Sequence, residues 1–468
     1  MVAGITMSIF LYLHVIEKEN KMKKFYISCG ILLLCYSYCL SQQGLKLPAN
    51  IKKDKVSFEL VNNLVIVPVE VNGDKLSFLL DTGVNSTILF GITEADSLRV
   101  NNTKPIKVRG LGDGNGVTAL KSKNNTFRIG DAMDRNHSIN VIFEESLNFS
   151  ARMGIPIHGI LGSDFFKNFV VKTDYTSKKI TFYDPLKYRT KKCKDCEIFE
   201  LKFHNNKPYV KIKTASLDSP IQDITLLVDS GSSDALWLFD EEGMLPLSPE
   251  KYLNDFLGLG FSGNIFGKRS KLDKVWVGGF RLNDVKVAFP DKSATDGIGF
   301  FKERDGSIGG DLLKRFTVIM DYQSKTMILE KNSNFFEPFY YNMAGLTIEH
   351  DGVDVLTESN TSSNFNFSSS KNTDNGTLSN TREDANVFTQ IVLVPRYVVV
   401  NVREGSPAEL AGLKYGDEIV TVNGRDAYKI KLFSLNTLFS SRVGKRIALK
   451  FKRDNVISKA VFTLKKVI

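Results

Sequence analysis

Two stretches of the chain share one pattern of apolar and polar positions. In the first, Phe78-Leu79-Leu80 runs into Asp81-Thr82-Gly83, and a second apolar run, Ile88-Leu89-Phe90, follows. In the second, Leu226-Leu227-Val228 runs into Asp229-Ser230-Gly231, followed by Leu236-Trp237-Leu238. Short apolar runs bounded by turn residues predict buried strands. A carboxylate at the end of a buried strand is costly unless it is hydrogen-bonded or put to use. One copy alone fits an ordinary strand-turn-strand; two copies in one chain do not fit it as easily.

The surroundings of the two copies also match. Before Asp81, Val56 to Glu70 alternates and then turns apolar, and Asn72-Gly73 predicts a hairpin turn. After it, Gly110-Leu111-Gly112-Asp113-Gly114-Asn115-Gly116 predicts the tip of a mobile hairpin. Val170 to Tyr183 closes the unit as a hairpin around Thr176-Ser177. Gly110 and Gly258 each lie 29 residues past their Asp, and Gly130 and Gly278 each lie 49 past it. Gly162 lies 81 past Asp81 and Gly309 lies 80 past Asp229, with Asp174 and Asp321 at 93 and 92. Offsets kept within one residue define a repeat. The chain is expected to hold two β-rich lobes, residues 50–190 and 195–335, packed about a pseudo-two-fold axis that brings Asp81 and Asp229 face to face.

This pattern resembles the pepsin-like and retropepsin-like aspartic proteases. The family motif pairs apolar-apolar-Asp-Thr/Ser-Gly with a later apolar-apolar-Gly. Here it reads Leu80-Asp81-Thr82-Gly83 with Ile160-Leu161-Gly162, then Val228-Asp229-Ser230-Gly231 with Ile308-Gly309 or the adjacent Gly310. The resemblance implies a mainly β fold of two acid-protease β-barrel lobes. It also implies an aspartic endopeptidase with Asp81 and Asp229 as catalytic groups, needing neither metal nor cofactor. Two close carboxylates share one proton, so one serves as base toward a water and the other as acid toward the peptide carbonyl. The family implies that Thr82 and Ser230 lock the two loops, that Gly83 and Gly231 allow close approach, and that Ser232 offers a hydroxyl to a carboxylate. Val84 replaces that hydroxyl in the first copy, which leaves the pH optimum open. Gly112, Gly114 and Gly116 would belong to a flap, and Gly258 to Gly263 to a second, opposing flap with Phe261 as its apolar roof. Both segments also fit plain surface loops.

Residues 339–468 break the repeat. Val398 to Val402 predicts a strand. Ser406-Pro407 predicts the start of a short helix that stops at Gly412, and Gly416 to Gly424 predicts a strand with a tight turn. This block resembles a PDZ domain of the kind attached to bacterial proteases. The resemblance makes Gly345, Leu346, Thr347 and Ile348 its carboxylate-binding loop, Leu432 to Phe439 the helix lining its groove, and peptide C-termini its ligands. The Ser/Asn/Thr-rich stretch at about 358–383 has too few apolar residues for a core and is expected to be a disordered insertion in this domain.

Composition narrows the reading further. The 468 residues exceed one core. The formal charge of +10 comes from scattered Lys and Arg without an aromatic-basic motif, which predicts a basic surface and no nucleic-acid binding. Residues 1–41 read as leader and signal peptide, with Lys21-Met22-Lys23-Lys24 as a basic start and Met22 as the expected true start. The expected destination is the periplasm, cell surface or medium. Cys39 offers a lipid-anchoring alternative that would place the protein at a membrane. Outside the leader only Cys193 and Cys196 remain, a candidate local disulfide in an exported chain. His158, beside Gly159, has no Ser or Cys nucleophile motif near it, so a serine hydrolase is disfavoured and a packing or surface role expected. Asp164 and Asp311 read as structural. The substrates are expected to be proteins or peptides. The alternative to a protease is a non-catalytic exported peptide-binding protein that uses the cleft and the PDZ groove.

Overall fold

A computed structural model describes residues 44–91, 99–108, 110–112, 117–143, 149–190, 193, 195–216, 219–239, 252–295, 301–361 and 387–468. The expected leader and most of the Ser/Asn-rich stretch lie outside the described residues. The fold is mainly β.

In the first lobe, the start of the strand Leu64–Val71 and the end of the strand Asp74–Leu80 bury both of their faces. Val65, Val67, Phe78 and Leu80 enter one core with Phe165 and Phe182. Leu64, Ile66 and Leu79 enter another with Ile88, Phe90 and Ile157. Burial on two sides is why these strands read as continuous apolar runs. The lobe is one eight-stranded sheet. Its order is Glu59–Val61, Leu64–Val71, Asp74–Leu80, Gly159–Leu161, Thr87–Leu89, Ala132–Ile142, Val117–Ile129 and Lys104–Val108.

The second lobe repeats that order strand for strand. It runs Lys202–His204, Lys207–Ser216, Ser219–Val228, Gly306–Ile308, Leu236–Leu238, Phe280–Pro290, Gly263–Val277 and Leu253–Gly260. In both lobes the Asp-bearing strand runs parallel to the strand that ends in the apolar-Gly motif: Leu80 pairs with Leu161, and Val228 with Ile308. This register makes Gly309, not Gly310, the counterpart of Gly162.

A six-stranded sheet joins the lobes, in the order Lys53–Ser57, Lys179–Tyr183, Val170–Asp174, Phe316–Asp321, Thr326–Lys331 and Cys196–Glu200. Its two halves meet at the antiparallel pair Val170–Asp174 and Phe316–Asp321. Cys193 and Cys196 are disulfide-bonded where the chain enters the last strand of this sheet.

Phe335 and Phe339 still pack in the core of the lobes, and a separate cluster begins at Met343. Leu346, Ile348, Val399, Leu435, Phe439 and Ile447 belong to that second core. The helix Pro407–Leu410 starts as expected, with Ser406 Oγ accepting the Glu409 N–H at 3.3 Å. The strand Leu346–Thr361 pairs with Val387–Val402 out to Thr361 and Val387. Residues 358–361, expected to be disordered from their composition, are therefore paired strand. Backbone hydrogen bonding to the partner strand overrides their polar composition.

Candidate active site

Each Asp sits where its strand ends and a Gly turn begins. The Asp81 N–H donates to Leu161 O at 3.0 Å and the Asp229 N–H to Ile308 O at 2.9 Å, so the apolar-Gly strands anchor both. Gly162 and Gly309 lie under the loops. A Cβ would come 2.5 Å from Val84 O at Gly162 and 2.3 Å from Asp234 O at Gly309. These contacts leave room for no side chain.

The two loops are bonded across the axis. Thr82 Oγ1 donates to Val228 O at 2.6 Å, and Ser230 Oγ donates to Leu80 O at 2.9 Å. The Thr82 N–H reaches Ser230 Oγ and the Ser230 N–H reaches Thr82 Oγ1, each at 3.0 Å. Within each loop, the Gly83 N–H donates to Asp81 Oδ1 at 2.6 Å and the Gly231 N–H to Asp229 Oδ1 at 3.1 Å. The carboxylates face the opposite glycines. A Cβ on Gly83 would lie 2.7 Å from Asp229 Oδ1, and one on Gly231 would lie 2.2 Å from Asp81 Oδ2. Sequence symmetry therefore becomes spatial symmetry at these six residues. Ser232 departs from its expected role in one respect: its N–H donates to Asp229 O at 3.2 Å, and its Oγ lies beside Gly309.

The electrostatics are less symmetric. Asp81 is buried and Asp229 half-buried. Burial first, then the Asp229 charge, pushes the Asp81 carboxyl up to about 8, while the Gly83 N–H and Lys207 pull it partly back. Burial and the Asp229 charge both favour the protonated form of Asp81 at neutral pH.

The candidate flaps meet each other. The Ser262 N–H donates to Leu111 O at 3.0 Å, and the Gly110 N–H to Ser262 Oγ at 3.2 Å. Gly112, at φ +130°, donates its N–H to Ala294 O at 3.2 Å. The tips also exchange lobes. Phe261 and Leu259 pack against the apolar cluster of the first lobe, and Leu111 against Trp237, Leu257 and Ile265 of the second. Gly114 and Gly116 lie outside the described residues.

His158, Asp164 and Asp311 take structural roles. His158 Nδ1 accepts the Ser77 N–H at 3.1 Å. Asp164 accepts from the Thr87 N–H at 3.0 Å, and Asp311 is paired with Lys286 and Lys314 at 2.7 and 2.9 Å.

Residues 67–165 match the family model of an aspartyl protease. Residues 365–464 match that of the PDZ domain. No curated protein matches the chain. The first match holds Asp81 and Gly162 but ends before the second lobe, so the place of Asp229 rests on the sheet register and the cross-lobe bonds. The second match begins beyond the loop 344–348.

That loop is not open to solvent. The Gly345 N–H is taken by Asn342 Oδ1 at 3.0 Å, and Leu346 O accepts from Asn342 Nδ2 at 2.8 Å. Leu346 and Ile348 are buried, and Gly345 and Thr347 line a cavity of about 190 Å³ shared with Asp255, Phe256 and Arg269 of the second lobe. On the other side, the first-lobe helix Phe149–Met153 packs on the strand that starts at Leu346, with Arg152 bonded to Glu349 at 2.9 Å. Gly154 abuts Leu432, and Asn62 meets Asn436, both on the helix Leu432–Phe439. The expected peptide groove thus faces the lobes.

Sequence reading missed three residues beside the pair: Lys207, Tyr209 and Arg304. Lys207 lies within the field of both Asp81 and Asp229, and Tyr209 and Arg304 within that of Asp229. The available signal was Asn62-Asn63-Leu64 repeated as Asn205-Asn206-Lys207. It was hidden because the second hairpin is longer, which places Lys207 22 residues before Asp229 but Leu64 only 17 before Asp81.

Proposed function

We propose that the protein is an aspartic endopeptidase that hydrolyses peptide bonds in exported or extracytoplasmic proteins. The observation that carries this reading is the reciprocal bonding of the Asp81-Thr82-Gly83 and Asp229-Ser230-Gly231 loops, which holds two carboxylates against each other with one raised well above the carboxylate range. A carboxyl that is protonated at neutral pH beside a second carboxylate is an acid paired with a base.

The steps follow from that assignment. Asp229 takes a proton from a water as its oxygen attacks the peptide carbonyl carbon. Asp81 gives its proton to the carbonyl oxygen, which leaves a neutral gem-diol. In the second step Asp81 removes a proton from one hydroxyl while Asp229 gives its proton to the amide nitrogen. The C–N bond then breaks to an acid and an amine, and both carboxyls return to their starting states. The interlocked flaps would exclude bulk water from this exchange.

Export is supported by the basic-apolar pattern of residues 21–40, which has the form of a signal sequence. The PDZ domain supports a role for peptide or protein partners.

The test is cleavage of a mixed peptide library by residues 42–468 between pH 3 and 8, beside Asp81→Asn and Asp229→Asn. Cleavage abolished by either substitution is the expected result. Equal peptide binding by all three proteins with no cleavage at any pH would instead indicate a binding protein.

A further inference from the structure

The two halves of the cleft are built on one plan but lined differently. Strand register pairs Ile66 with Leu79 and Tyr209 with Leu227, each opposite the residue two before the Asp. By that register Lys207 occupies the place of Leu64, since each opens the strand after an Asn-Asn turn. Phe90 donates its N–H to His158 O, and Phe239 donates its N–H to Asp305 O, both at 2.8 Å. Arg304 therefore stands where the first lobe has Ile157, and Ser307 where it has Ile160.

In the first lobe, Leu64, Ile157 and Ile160 form a closed apolar wall with Val84, next to Gly83, and with Phe261 of the opposing flap. In the second, the same three places hold Lys207, Arg304 and Ser307. Arg304 is fixed there. Its Nε donates to Gly306 O at 3.0 Å, a terminal nitrogen reaches Ser307 Oγ at 3.5 Å, and its guanidinium lies 5.0 Å from the centre of the Phe239 ring. Lys207 is half-buried and forms no ion pair among the described residues. Burial and the neighbouring Arg304 both press its charge downward, and the two catalytic carboxylates only partly offset them.

Lys207 and Arg304 set an ammonium beside a guanidinium where the first lobe is apolar, and that pairing suits a carboxylate.

We propose that Lys207 and Arg304 form a carboxylate-binding subsite on the second-lobe side of the cleft. The enzyme then prefers peptides with a bulky apolar residue on one side of the scissile bond and an Asp or Glu side chain on the other. This deepens the endopeptidase reading and rests on it. Hydrophobic subsites alone discriminate weakly between similar residues, whereas a desolvated charge pair rejects a neutral isostere strongly.

The experiment uses capped fluorogenic peptides that present Phe-Glu, Phe-Gln, Glu-Phe and Gln-Phe at the centre, with the full exported chain. The expected result is kcat/KM for one Glu peptide at least about tenfold above its Gln counterpart. The Glu-to-Gln ratio is then taken within each of Lys207→Met, Arg304→Met and Lys207→Arg, so that any loss common to all substrates cancels. Either Met variant should bring the ratio toward one, and Lys207→Arg should keep it. Equal rates for Glu and Gln in the unaltered protein, or a ratio untouched in both Met variants, overturns the proposal. So does a preference confined to peptides with a free terminal carboxylate, read against their amidated forms. If no peptide is cut, the endopeptidase reading fails. The Glu-to-Gln ratio of dissociation constants, measured by fluorescence anisotropy, still decides whether the subsite binds carboxylate.

Discussion

Thr82 and Ser230 each donate a hydroxyl proton to the other lobe: Thr82 Oγ1 to Val228 O at 2.6 Å, and Ser230 Oγ to Leu80 O at 2.9 Å. Each acceptor is the carbonyl of the residue just before Asp229 or Asp81. The bonds therefore fix the spacing of the two carboxylates and not only the contact between lobes. Thr82 is buried, so removing its hydroxyl leaves the Val228 carbonyl without that donor. Thr82→Val is expected to lower stability by about 1–3 kcal/mol. It should lower kcat/KM by more than that loss alone explains, because small misplacements of reacting groups cost rate. Thermal unfolding and peptide cleavage check this together. Thr82→Ser, which keeps the hydroxyl, should recover most of both. A double-mutant cycle with Ser230→Ala should show a coupling of about 0.5–3 kcal/mol.

The raised Asp81 carboxyl gives the pH dependence a sign. Its folded value is about 8, above the ordinary carboxyl value of 3.8. The folded state therefore holds a proton that the unfolded chain has released. Stability falls as pH rises from about 4 to about 8 and then levels off. Asp81→Asn removes this penalty. Its melting temperature should match the unaltered protein near pH 4 and exceed it by several degrees near pH 8. Activity should be lost as pH rises through about 8, where Asp81 gives up the proton that the proposed mechanism has it donate. A melting temperature difference that does not change between pH 4 and 8 would contradict the assignment.

The Asp pair, its glycines and the two lobes were legible because one local grammar occurs twice at matched offsets. Gly309 and Gly310 could not be told apart in the sequence, since either keeps the apolar-Gly form; only the pairing of Val228 with Ile308 separates them. Lys207 and Arg304 were not legible because their meaning is comparative. A lysine at a hairpin is unremarkable until the register sets it over Leu64. The orientation of the PDZ domain was illegible for another reason. It depends on contacts such as Gly154 with Leu432, which lie far apart in sequence and carry no pattern of their own.

The interlocked flaps should behave as one unit. Gly112 has φ +130°, and a Cβ there would come 2.5 Å from the Gly263 nitrogen. Gly112→Ala adds both backbone strain and a clash. The tips are expected to separate, breaking the bond from the Ser262 N–H to Leu111 O. Amide exchange at Ser262 should rise at least about tenfold, with KM rising more than kcat falls, because substrate capture depends on closure. Unchanged exchange at Ser262 would show that the tips do not hold each other closed.

The last prediction concerns the docked PDZ domain. The Arg152–Glu349 pair is partly exposed, at 31% and 20%, and contributes about 0–1 kcal/mol. It cannot hold the domain by itself. Apolar packing beside it is the stronger contact: Phe149, Met153 and Phe433 all join the first-lobe cluster, and Gly154 abuts Leu432. A Cβ on Gly154 would lie 2.5 Å from Leu432 Cβ. Gly154→Leu is expected to push the domain off the lobes, while Arg152→Ala should leave it docked. Gly154 has φ +67°, so strain must be separated from displacement. Gly352→Leu supplies that control, having φ +71° and no neighbour within 4 Å of its Cβ position. Small-angle scattering should show a larger radius of gyration for Gly154→Leu alone. Peptides with a free C-terminal carboxylate should bind this variant more tightly than the unaltered protein, because the strand at Leu346 and the helix at Leu432 are no longer covered. A larger radius without gain in binding would mean that the groove takes no peptide even when uncovered, and that its partner is the pair of lobes itself.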